Sequence, residues 1–109
     1  MNINIEGSQG INISSLEDLA KIIPNNLNGK ALNYGQGEGQ VEIDGSIWGM
    51  YCGGKEHYFL QYEEGLKDWN TFKDLLNAII KQIQSEFGPN LKFTIEGKLE
   101  NYEPHEKYT

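Results

Sequence analysis

The chain has 109 residues, the size of one domain, and at this length it can bury roughly two-thirds of its unfolded surface. Four Phe, six Tyr and two Trp supply enough large side chains for a core, which argues against disorder. Sixteen acidic residues oppose nine basic ones, for a net charge of −7 and a pI near 4.7, and every basic residue is lysine. Without arginine and without a basic surplus, DNA, RNA and anionic membranes are not expected partners, whereas a basic protein is. The alternative use of the charge is solubility alone.

Residues 2–6 alternate, with Ile3 and Ile5 on one side and Asn2, Asn4 and Glu6 on the other, and predict a short half-buried strand. This N-terminus has no basic region followed by a long apolar run, so no signal peptide is expected. Gly7–Gly10 reads as a turn. Ser14-Ser15-Leu16-Glu17 follows the capping-box pattern, and Leu16, Leu19, Ala20, Ile22 and Ile23 recur at helical spacing until Pro24. A short helix is predicted over about 15–23.

The middle third predicts sheet. Ala31–Tyr34 is a candidate strand, followed by Gly35–Gly39 as a flexible loop. Val41 and Ile43 alternate with Glu42 and Asp44, Asp44-Gly45 signals a hairpin, and Ile47–Tyr51 follows. After the turn Cys52–Lys55, the segment His57–Tyr62 places Tyr58, Leu60 and Tyr62 on one face and His57, Phe59 and Gln61 on the other.

The strongest signal is an apolar stripe through Phe72, Leu75, Leu76, Ile79, Ile80, Ile83 and Phe87. It predicts a long amphipathic helix over about 71–87, capped by Asp68, Asn70 or Thr71 and stopped by Gly88-Pro89. Leu91, Phe93 and Ile95 alternate in a last strand, and residues 101–109 read as a loop or frayed tail. The fold class is therefore α+β: a single domain spanning 1–109, with an antiparallel sheet of four to six strands, the long helix on one face and the short helix near an edge. An echo, Ile5-Glu6-Gly7, Ile43-Asp44-Gly45 and Ile95-Glu96-Gly97, reads as recurring strand-end chemistry, with a duplicated hairpin as the alternative.

Candidate chemistry is sparse. Gly35, Gly37 and Gly39 do not match a dinucleotide or phosphate loop, because a β-type segment follows and Glu38 would repel a phosphate. His57, His105, Glu103 and Glu106 lack the spacing of a metal site. Cys52 and His57 flank a glycine turn, but the neighbouring Glu56 works against a reactive thiolate. The carboxylates of Glu17, Asp18, Glu42, Asp44, Glu63 and Glu64 show no pairing across a cleft of the kind glycosidases use. No catalytic residue, cofactor or metal is assigned.

Trp48, Tyr51, Tyr58, Tyr62 and Trp69 lie close in sequence, among Asp44, Glu56, Glu63, Glu64 and Asp68. One tryptophan is expected in the core and one or two tyrosines on the surface. Aromatic rings beside carboxylates make good interface anchors, and the expected partner-binding residues are Tyr51, Glu56, Tyr58, Tyr62, Glu63, Glu64 and Asp68. The functional expectation is a non-catalytic acidic protein-binding module of the cytoplasm, bacterial or from a phage. An immunity protein or antitoxin that inhibits a basic toxin nuclease is its most concrete form, and a phage-encoded inhibitor of host defence is its rival. A ligand-binding or enzyme-like protein using a helix–sheet pocket is the alternative from another class. The oligomeric state is left as monomer or homodimer, the latter through an exposed sheet edge.

Overall fold

The computed structural model describes residues 1–66 and 68–97, so the 101–109 segment lies outside the described residues. Six strands form one sheet: β1 (Asn2–Glu6), β2 (Gly29–Gly35), β3 (Glu38–Ile43), β4 (Ser46–Gly53), β5 (His57–Glu64) and β6 (Lys92–Glu96). Their order across the sheet is β2-β3-β4-β5-β1-β6, and every neighbouring pair is antiparallel. Two helices accompany it, α1 (Leu16–Ala20) and α2 (Trp69–Phe87). The α+β arrangement read from the sequence is the arrangement observed. Among the described residues, no helix is long and apolar enough to cross a membrane.

Period-two alternation decides which side of each strand is covered. Ile3 and Ile5, Val41 and Ile43, Trp48 and Met50, and Tyr58, Leu60 and Tyr62 all turn to one face and are buried. The apolar stripe of α2 closes over them through Trp69, Phe72, Leu75, Leu76, Ile79 and Ile83. Phe72 is the centre of the contact: its ring lies 5.6 Å from Trp48, 5.4 Å from Tyr62 and 5.4 Å from Trp69. Burying a ring of that size stabilises the fold by roughly 1.5–3 kcal/mol.

Both tryptophans are buried, one more than expected, because Trp48 fills the sheet side of this cluster and Trp69 the start of the helix. The Trp48 indole N–H donates to Ser46 Oγ at 2.8 Å, and that hydroxyl donates to the Ile43 carbonyl at 2.6 Å. The polar end of a buried ring is thereby satisfied inside its own hairpin.

Both helices are capped by the residue types the sequence offers: α2 by Asp68, one of the three candidates, and α1 one residue later than expected. The cap of α1 is Ser15, which accepts from the Asp18 N–H at 3.1 Å, while Asp18 Oδ2 accepts from both the N–H and the hydroxyl of Ser14. The N-cap is thus Ser15, one residue later than the Ser14–Glu17 pattern, with the returning carboxylate of Asp18 on Ser14, and regular helix ends at Ala20, short of Ile23. Helix α2 starts at Trp69, capped by Asp68, whose carboxylate accepts from the Thr71 N–H and hydroxyl, each at 2.8 Å.

The segment expected to be a flexible loop is a tight turn. Gly35 pairs with Glu38, and the two residues between them, Gln36 (φ 52°) and Gly37 (φ 79°), both adopt the left-handed region that two-residue hairpins require. The three-fold echo has a local cause: Gly7, Gly45 and Gly97 all take positive φ at the end of a strand. Asp44 is left-handed too, inside a hairpin, whereas Glu6 and Glu96 are not, so the three sites share the glycine geometry and not a common turn.

Candidate functional site: the open face of the sheet

Both helices lie on the same side, so among the described residues the second face of the sheet carries no helix. Strand register places on it Lys30 and Asn33 from β2, Glu38, Gln40 and Glu42 from β3, and Ile47, Gly49 and Tyr51 from β4. Phe59, Gln61 and Glu63 come from β5, Asn2, Asn4 and Glu6 from β1, and Lys92, Thr94 and Glu96 from β6. A bulge opposite Ile47 and Trp48 inserts Glu63, so that Glu63 and Glu64 follow one another on this side instead of alternating.

At the centre, Tyr51 and Phe59 face each other across β4 and β5, with ring centroids 5.4 Å apart and planes 22° from parallel. The Tyr51 hydroxyl donates to Glu63 Oε1 at 2.5 Å, and Gln40 Nε2 donates to Glu63 Oε2 at 2.5 Å. Asn33 Nδ2 donates in turn to Gln40 Oε1 at 3.0 Å. A chain of polar contacts therefore runs from the edge strand β2 through β3 to the aromatic pair, with both oxygens of Glu63 engaged. Such a network holds side chains in one arrangement before anything binds.

Gly49 makes the centre possible. A Cβ there would lie 2.8 Å from Glu63 Oε1 and would collide with the edge atoms of the Tyr51 ring. The hydrogen bond to Glu63, partial burial, and the negative charges of Glu63 and Glu38 together push the Tyr51 hydroxyl up to about 12. Tyr51 is therefore a neutral donor throughout the physiological range.

The face is acidic. Among the described residues it carries the carboxylates of Glu6, Glu38, Glu42, Glu63, Glu64 and Glu96 against the two ammonium groups of Lys30 and Lys92. Both lysines stand at strands on the rim and each faces a glutamate, Lys30 opposite Glu42 and Lys92 opposite Glu6. The central strands hold carboxylates without lysines.

The seven residues expected to bind a partner do not form one surface. Tyr51, Glu63 and Glu64 do come together on the open face. Glu56 is exposed in the 3₁₀ turn Gly54–Glu56, where it and Lys55 both have left-handed φ. Asp68 is spent on the α2 cap, which holds its carboxyl below the usual value of 3.8, chiefly through the Thr71 backbone N–H. Tyr58 and Tyr62 point to the helix-covered side, 5% and 8% exposed.

The hydroxyls of those two tyrosines serve the fold. Tyr62 accepts from the Leu66 N–H at 2.7 Å and donates to the Leu66 carbonyl at 3.1 Å, which ties down the connection to α2. The Tyr58 hydroxyl pairs with both the N–H and the carbonyl of Ile13, each at 3.2 Å, and Tyr34 donates to the same carbonyl at 2.5 Å. Burial pushes the Tyr58 hydroxyl upward. The residues missed by the sequence reasoning are Asn33, Glu38, Gln40, Gly49 and Phe59. Their signal was the alternation itself, since each occupies a position out of phase with a core residue on its own strand.

Other candidate chemistry is dispersed. Cys52 pairs with Tyr58 and His57 with Gly53, so the thiol and the imidazole do not face one another, and the Cys52 thiol lies 3.3 Å from the Gly53 carbonyl. Among the described residues no group of three or more His, Cys, Asp or Glu side chains is placed to hold a metal ion. The partners considered for His57 in such a site, Glu103, His105 and Glu106, lie outside the described residues. Next to the start of α2, a cavity of about 330 Å³ is lined by Leu27, Asp44, Leu66, Thr71, Leu75 and Ala78. A groove of about 530 Å³ lies between the 24–28 loop and the outer side of α2, lined by Pro24, Asn26, Asp74, Asn77, Ala78, Lys81 and Gln82. Comparison with protein-family models, curated proteins and solved structures returned no match.

Proposed function

We propose that this chain is a non-catalytic binding module that docks a basic protein against the open face of its sheet. The observation that carries the proposal is the composition of that face: a fixed aromatic pair and a fully engaged Glu63 at the centre, with the carboxylates of Glu38 and Glu64 around it. Such a face supplies two things a binding surface needs, a rigid ring to bury and a negative field to steer a cationic partner. An immunity protein or antitoxin that covers a basic toxin nuclease is the form that best fits a small acidic cytoplasmic chain, and a phage-encoded inhibitor of a host defence protein shares the same surface.

The test uses the native host's lysate. The intact chain and a Glu38→Lys/Glu42→Lys/Glu64→Lys variant are each used as bait, and the captured proteins are weighed and identified. A basic protein held by the intact chain, released by moderate salt and lost by the variant is the expected result. Retention of the same proteins by both baits would rule out the open face as the interface. An enzymatic activity in the captured partner that vanishes on complex formation would favour the inhibitor form over a scaffolding role.

A further inference from the structure

The two edges of the sheet are unlike. Along β2 the register with β3 breaks between Ala31 and Asn33, and the extra residue, Leu32, interrupts the row of backbone groups that another strand would need. Along β6 the register with β1 runs without interruption from Lys92 to Glu96, and among the described residues no strand lies on its outer side. β6 contains no proline, glycine or bulge, and Phe93 and Ile95 are only half-buried where the sheet stops. A regular unguarded edge is a template for one more strand.

The sequence of that edge is complementary to itself. We propose that β6 pairs antiparallel with β6 of a second copy of this chain, about a two-fold axis at Thr94. In that register Lys92 of one copy faces Glu96 of the other on the open side, and the same pair recurs at the opposite end. Phe93 faces Ile95 of the second copy on the helix side, again twice, and the two Thr94 residues meet on the axis. Opposite charges and aromatic–β-branched pairs directly across from each other are the cross-strand combinations that favour pairing. Asn4 on the inner neighbour β1 donates its Nδ2 to Glu96 Oε1 at 2.8 Å, which engages one oxygen of that carboxylate on the open side of β6. Shifting the register by one residue would turn every side chain to the wrong face, and a shift of two would separate Lys92 from Glu96 and Phe93 from Ile95. The product is one continuous twelve-stranded sheet with all four helices on one side and a doubled open face on the other. This edge is separate from the carboxylates assigned to partner docking, and pairing here does not depend on that assignment.

The test is a charge exchange read by light-scattering mass across a concentration series. The unaltered chain is expected to approach twice 12.4 kDa. Lys92→Glu and Glu96→Lys each place like charges opposite one another at both ends of the contact, and each is expected to shift the mass towards that of a single chain. The double variant Lys92→Glu/Glu96→Lys restores opposite signs and should recover the dimer. Lys92 also faces Glu6 within the chain, so Glu96→Lys, which faces no charge within the sheet and gives up only the Asn4 hydrogen bond, carries the test if Lys92→Glu loses its circular-dichroism signature. A second measurement places Thr94→Cys in a Cys52→Ser background, where a short bis-maleimide should join two chains through residue 94. An unaltered chain that stays monomeric at every accessible concentration overturns the proposal. So does a dimer indifferent to the single reversals, or a chain that forms no linked product through residue 94. Glu38→Lys/Glu42→Lys/Glu64→Lys should leave the mass unchanged, which separates failure here from failure of the docking assignment.

Discussion

The two faces of one sheet use the same residue types for opposite ends. On the covered face, Tyr58 and Tyr62 bury their rings and turn their hydroxyls to backbone groups of the chain itself. On the open face, Tyr51 lies against a glycine, stacks on Phe59 and donates to a carboxylate. A tyrosine is therefore assigned to core or surface by its phase along the strand and not by the company it keeps in sequence. The covered face is organised by apolar area and the open face by a hydrogen-bonded network, and substitutions should separate the two.

The largest effect is expected on the covered face. Trp48→Ala removes the ring that meets both Tyr62 and Phe72, and should cost about 3–5 kcal/mol in urea unfolding. Gly49→Ala comes next: its added methyl must displace Tyr51 and Glu63, at a cost of about 1–3 kcal/mol, and should abolish partner binding in a chain that still folds. A Gly49→Ala chain with unchanged stability and binding would mean that the network is not held as described.

A smaller loss is expected for Asp68→Ala, which removes the α2 cap. Because the folded-state pKa of Asp68 is lowered, its contribution is complete above the unfolded value near 3.8 and is lost as pH falls through the lower folded value. The difference between the two chains should therefore close on acidification, which thermal melts from neutral pH to below 3.8 would show.

The smallest effect on stability, and the most specific, is expected for Glu63→Gln. Tyr51 is raised to about 12, so its contribution is complete below the ordinary value of 10.0 and is lost as pH rises from there through 12. Without the carboxylate, Tyr51 should titrate nearer 10.0 in ultraviolet difference absorbance. If it continues to titrate near 12, burial and not Glu63 sets its proton affinity.

Much of the fold was legible because two periods carry it. The stripe from Phe72 to Phe87 could only be a helix, and alternation in residues 2–6, 41–44, 57–62 and 91–95 marked strands that the structure places in one sheet. The helix boundaries shifted because Ser14 and Ser15, and Asp68, Asn70 and Thr71, offer several capping groups in a row, and only packing selects Ser15 and Asp68. The Gly35–Gly39 turn was hidden because Gln36 gives no sign that it will adopt a left-handed conformation. The candidate site was half legible. Tyr51, Glu63 and Glu64 were found by aromatic and acidic character, but proximity in sequence drew in Tyr58 and Tyr62 from the opposite face. The β5 bulge, which puts Glu63 and Glu64 on one side, has no signature in a run of Tyr-Glu-Glu-Gly.

The most direct test is photo-crosslinking resolved by face. A benzoyl-phenylalanine replaces Gln61, at the centre of the open face, in one chain and Asn70, on the exposed side of α2, in another, and each is irradiated in the native host's lysate. We expect a discrete, salt-sensitive product with a basic protein from position 61 and none from position 70. The same product from position 70 alone, or no product from position 61, would contradict the assignment of the open sheet face as the docking surface.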